Sequence, residues 1–274
     1  MSRAIAAAGL VMMLAAGGAW ADDASVRAYL SENGCAVGPQ SRMAQEMPTP
    51  EFHATLTTYA EAALARGEAE RHGDWIVLGP GICTIQPPKI DTRYDIASPV
   101  VQRGIGAVDA HAEFEEYGCF IVGEDMQQAL VQQDGLTRDA AAAAYYRIIA
   151  EGVRLGRVSF FSDDPLRTPM GFQVLTGACA DVPRIDAIRR SQALMLEHFD
   201  TLVRDNASRV TCDANVAPVT VEVGQTLADV TDGEVVNAWT MMDMMMLAIG
   251  AGWVEGINAT ERGTPRPPIC SDVE

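Results

Sequence analysis

Only one lysine, Lys89, stands among 274 residues, and arginine supplies the remaining side-chain positive charge apart from histidine. Lysine and arginine total 20 against 37 aspartates and glutamates, a net charge of −17. A chain so short of positive charge repels nucleic-acid phosphates and anionic lipid, which removes both as expected partners. It has no close Cys-x-x-Cys pair, so neither a zinc knuckle nor a thioredoxin-like redox centre is written here. Gly-x-Ser-x-Gly, His-Glu-x-x-His and a glycine-rich phosphate loop are missing too. That excludes the locally encoded hydrolase, metalloprotease and nucleotide sites. A dispersed triad or carboxylate pair leaves no such local mark. After residue 21 no apolar run is long enough to span a bilayer; residues 240–254 come nearest, but they are too few and include Asp243.

The start of the chain is different. Arg3 precedes an apolar run to Trp20, and Ala19-Trp20-Ala21 has the small-x-small form of a cleavage site. This pattern reads as a secretory signal over residues 1–21. Losing Arg3 would take the charge from −17 to −18. The arginine bias, with abundant alanine and glycine, fits a bacterial chain of high-GC coding, exported to the periplasm or beyond.

Six cysteines then carry the most information. They fall into the intervals Cys35–Cys83, Cys119–Cys179 and Cys212–Cys270, whose first members lie 84 and 93 residues apart and whose second members lie 96 and 91 apart. An even count in an exported chain reads as disulfides. Six cysteines allow fifteen connectivities; the intervals favour pairing within each one. Other markers keep the same phase. Pro88-Lys89-Ile90-Asp91 follows Cys83, and Pro183-Arg184-Ile185-Asp186 follows Cys179. Thr49, Thr137 and Thr231 each precede a helical stretch, and Gly67, Gly156 and Gly250 follow them at offsets of 18, 19 and 19. These markers predict one unit written three times, over 22–86, 87–182 and 183–274. Units of roughly 80 residues bury cores of small surplus, and closing such a loop contributes up to ~4 kcal/mol each.

The predicted order in each unit is helix, short strand, one or two helices, closing strand or hairpin. The fold class is thus α+β, helix-rich, each unit loosely resembling a winged helix in topology alone. Asp22 and Asp23 cap an opening helix ending at Gly34. A second opening helix is expected over 98–117, with Val101, Ile105, Val108 and Ala112 on one stripe. A third is expected over 185–206, from the spacing of Ile185, Ile188, Met195, Phe199 and Leu202. Short strands follow Cys35 and Cys119, small helices fit 42–46 and 126–133, and residues 219–223 alternate as a strand. The main helices carry Phe52, Leu56, Tyr59 and Ala63; Tyr145, Ile149 and Val153; and Val235, Trp239, Met242, Met246 and Ile249. Closing strands are expected at 75–78, 172–175 and 253–257. The units are expected to pack through their long opening helices.

Few residues suggest chemistry. Met241, Met242, Met245 and Met246, with Met244, lie one helical turn apart in pairs; thioethers suit Cu(I), but methionine also fills cores. No metal or other cofactor is the expectation, these methionines being the weak candidates. His111, Glu115, Glu113 and Glu116 share a stretch that reads as a solvated helix face. His198 reads as packed or half-exposed, and His53 and His72 as surface residues. Asp163 and Asp164 fall in the inserted segment 160–170, the candidate contact loop. The leading expectation is a non-catalytic periplasmic protein that binds another protein or a small ligand in a groove between units. The alternatives are a copper-binding protein using the methionines and an enzyme with its site at unit contacts.

Overall fold

Thr49 starts the first long helix among the described residues. Its hydroxyl accepts from the Phe52 N–H at 3.2 Å, and Pro50 follows where no N–H is needed. The computed structural model describes residues 23–43, 49–106, 119–160, 171–181, 185–212 and 238–271. In the first segment α1 (Asp23–Glu32) leads to β1 (Ala36–Val37), α2 (Gln40–Met43), α3 (Pro50–Ala65), β2 (Ala69–His72) and β3 (Trp75–Leu78). The strands order as β1-β3-β2, all antiparallel. Leu56, Ala60 and Ala63 form the buried face of α3.

The second segment holds α4 (Pro99–Arg103), β4 (Ile105–Gly106), β5 (Phe120–Val122), α5 (Gly123–Asp134), α6 (Arg138–Arg154), β6 (Val158–Ser159) and β7 (Gly171–Val174). Its sheet orders as β4-β5-β7-β6. The helix expected over 98–117 therefore stops at Arg103. Gly104 closes it onto the Val101 carbonyl, and β-branched Ile105 pairs with Ile121 as a strand. Long-range pairing outweighs the helical period there. Residues 107–118, with Val108 and Ala112 of the expected stripe, lie outside the described residues.

The third segment has α7 (Ile185–Glu197), α8 (Phe199–Asn206), α9 (Ala238–Gly250), β8 (Val254–Glu255) and β9 (Thr264–Pro265). The single helix expected over 185–206 is kinked at His198, whose backbone sits at φ −103°, ψ 22°. The N–H of His198 still bonds the Leu194 carbonyl at 3.0 Å. The kink keeps Ile188, Met195, Phe199 and Leu202 all in the core. The alternating residues 219–223, with Thr231 and Val235, fall outside the described residues.

Disulfides join Cys35 to Cys83, Cys119 to Cys179 and Cys212 to Cys270, across sequence separations of 48, 60 and 58. Each closes a locally similar path. After α3, α6 and α9 the chain turns at Gly67, Gly156 and Gly252, with φ of +73°, +66° and +77°, a backbone region that favours glycine. The next N–H reaches back to the helix: Glu68 to Ala63 (3.0 Å), Arg157 to Gly152 (2.7 Å), Trp253 to Ala248 (2.9 Å). The carbonyls of Glu68, Arg157 and Trp253 then accept from Gly79 (2.8 Å), Leu175 (2.8 Å) and Arg266 (2.9 Å). In every case the closing cysteine comes four residues later. The glycine in this position is Gly252, not Gly250 as the offsets suggested. Gly250 serves packing instead: a Cβ there would lie 2.2 Å from the Ala150 Cβ.

That contact belongs to α6 against α9, the most extensive helix pairing among the described residues. The main helices, rather than the expected opening helices, thus form the largest contact between the second and third segments. The cause is sequence: α9 is apolar nearly all round, so it needs partners on several sides. α7 and α8 supply two of them. α8 also clasps the first segment. Arg204 pairs with Asp200 at 3.0 Å and donates to the carbonyls of Leu78 and Cys83, both at 2.9 Å. Asp200 accepts from the Ile85 N–H at 2.6 Å.

Candidate functional site

A cleft of about 640 Å³ opens where all three segments meet. Glu32 and Asn33 line it from the end of α1, Tyr146 and Arg147 from α6, and residues 249–252 and 254–257 from the end of α9 through β8. Lys89 and Asp91 come from the extended stretch after Cys83. Each group is positioned by local structure. The turn at Gly252 aims the C-terminal end of α9 at the cleft, where backbone carbonyls favour positive charge. Lys89 Nζ pairs with Glu32 Oε1 at 2.5 Å. Burial raises the ionisation of the half-buried Tyr146 above the ordinary phenol value, so its hydroxyl stays neutral as a hydrogen-bonding group. The lining residues include no Ser, Thr, Cys or His. They can bind a ligand through hydrogen bonds and mixed charges.

Two further concavities, each of about 690 Å³, join only two segments. One lies between the first hairpin and α8 with the chain around Cys270. The other lies between α5 and the loop after β8.

The candidates named from sequence are scattered. Met241, Met244, Met245 and Met246 are buried in the core, and Met242 is half-buried. Asp163 and Asp164 lie outside the described residues, as do His111, Glu113, Glu115 and Glu116. His53 Nε2 is 2.9 Å from the Gly38 carbonyl. His72 Nε2 is 3.7 Å from Glu70. His198 is exposed rather than packed, because the kink turns it outward beside the buried Phe199. Among the described residues no group of three or more His, Cys, Asp or Glu side chains is gathered for a metal ion. No described helix is long and apolar enough to cross a membrane.

Two groups escaped sequence reasoning. Arg266, 2% exposed, stacks over Trp75 and Trp253 at 4.9 and 5.6 Å. Asp243, also 2% exposed, sits inside the methionine helix. Burial pushes its carboxyl up to about 7, against the opposing pull of hydrogen bonds from the Phe160 N–H, Ser159 and Gln192. One acidic residue in an otherwise apolar helix was the signal that could have marked it.

No family model matches the chain, and no curated protein or solved structure matches it either. Fold and site geometry are therefore what a functional reading rests on.

Proposed function

We propose that this chain is an exported, non-catalytic interaction protein built from three copies of one disulfide-closed unit, which binds its partner in the three-segment cleft. The cleft carries the reading: residues from all three segments line it, and its mixed charges and hydrogen-bonding groups suit binding. The matching turns, hydrogen bonds and cysteine offsets after α3, α6 and α9 support triplication over 22–86, 87–182 and 183–274. The shared helix, strand, helix, hairpin path supports a winged-helix-like unit. Three disulfides and the apolar start of the chain support export to the periplasm or beyond. The partner is a periplasmic protein or a small polar ligand.

The test immobilises the mature protein and passes periplasmic extract over it. A partner retained by the wild type should be lost with Tyr146→Glu combined with Asp91→Arg. It should be kept with Glu61→Arg, which alters an exposed site on α3. Equal retention by the cleft variant, or retention of nothing by the wild type in both protein and metabolite fractions, overturns the proposal.

A further inference from the structure

Asp243 lies in the interior of α9, and two other elements converge on it. Ser159 Oγ, on β6, donates to Oδ2 at 2.7 Å. The Phe160 N–H, just past β6, donates to Oδ1 at 2.8 Å. Gln192 of α7 reaches the same carboxyl and also donates to the Val158 carbonyl on β6. All of these partners are neutral. The charges on the surrounding elements are engaged elsewhere or face outward. On α6, Arg154 pairs with Glu151 at 2.7 Å, and Arg147 lines the cleft. On α7, Asp186, Arg189, Arg190 and Glu197 are exposed. On α8, Asp200 pairs with Arg204, and Asp205 is exposed. Arg157, ahead of β6, lies 3.9 Å from Asp95. α9 has no second charge.

We propose that Asp243 is a proton-operated tie. Protonated, it joins β6, α7 and α9 as a neutral hydrogen-bonding partner. Ionised, it places an uncompensated charge in their apolar contact and loosens it. The physical cause is desolvation: a buried carboxylate with no cationic partner costs far more than the neutral acid. Gln192, whose Oε1 is buried without a hydrogen-bond partner among the described residues, also has an acceptor to offer. A raised carboxyl in the folded state makes stability greatest below its ordinary value of 3.8 and lost as pH climbs through about 7. An exported chain meets the pH of its surroundings, so this window is one it can experience.

Two measurements on the full mature chain, disulfides intact, test the tie. The first follows the Asp243 carboxyl carbon by NMR; a midpoint near 7 is expected, and one near 4 overturns the proposal. The second compares urea unfolding of wild type and Asp243→Asn from pH 4 to 8. The ratio of their unfolding constants should change about tenfold per pH unit between roughly pH 4.5 and 6.5, then level off. Parallel pH profiles overturn the proposal. Ser159→Ala removes one donor to the ionised form, so it should move the carboxyl midpoint upward; an unmoved midpoint counts against the tie. If Asp243→Asn fails to fold, the midpoint of the wild-type carboxyl, near 7 or near 4, upholds or overturns the proposal by itself.

Discussion

The segments closed by Cys35–Cys83 and Cys119–Cys179 follow the same route in different surroundings. Both run from cysteine to short strand, through two helices, to a glycine turn, a hairpin and the second cysteine. β1-β3-β2 and β5-β7-β6 have the same strand order. The differences lie in what touches each main helix. α3 buries Leu56, Ala60 and Ala63 and leaves much of its other side in water. α6 buries residues along two sides, Tyr145, Ile148 and Ile149 among them, because α9 covers it as well as α5. The first hairpin turns tightly at residues 73–74, whereas the second connection runs from 160 to 170. Backbone closures are local and are alike in the two segments; side-chain content follows neighbours and differs.

The largest expected effect tests whether the closures are energetically alike. Cys35→Ala with Cys83→Ala, and separately Cys119→Ala with Cys179→Ala, should each cost up to about 4 kcal/mol by loop entropy. The closing lengths of 48 and 60 residues enter as logarithms, so the two losses should agree within about 0.5 kcal/mol. Urea midpoints of the two variants give the answer. A second loss exceeding the first by more than about 1 kcal/mol would assign the difference to the packing around α6.

The next effect sharpens the contrast between a covered helix and an open one. Gly250→Val puts a Cβ 2.2 Å from Ala150 and 3.2 Å from the Tyr146 carbonyl. Helix backbones must separate to admit it, at about 3 kcal/mol. Ala54→Leu on the exposed side of α3 should stay within about 0.5 kcal/mol. Denaturation of both variants, with Ala150→Gly added to the first, checks the cause; partial recovery in the double variant identifies the Cβ clash.

Legibility followed the same divide. Cysteine intervals, the Thr49 and Thr137 caps and the short strands after Cys35 and Cys119 could be read because each depends on neighbouring residues. Residues 98–117 kept a helical period, yet Ile105 was taken by a strand whose partner, Ile121, lies elsewhere in the chain. Gly250 stood at the repeat's offset, but glycine at a cap and glycine at a close crossing are the same letter. The cleft had no local mark at all. Glu32, Tyr146 and Glu255 share it only after the three segments pack. Asp243 was visible as a lone charge, but the donors that give it a role come from residues 83 and 84 positions away.

The smallest effect is the most direct probe of likeness. The hydroxyls of Thr49 and Thr137 each accept from an N–H three residues ahead at 3.2 Å, in exposed positions. Thr→Ala at either site should cost about 1 kcal/mol, and Thr→Ser much less. Because a cap acts on its own first turn, the cost should not register that α6 is covered and α3 is not. Hydrogen exchange at the Phe52 and Ala140 amides should rise locally in the respective alanine variants, with matching stability losses in urea. A loss at Thr137 several times that at Thr49 would mean that the start of α6 is held by its neighbours through the cap. The two segments would then share a route without sharing the energetics of their helix starts.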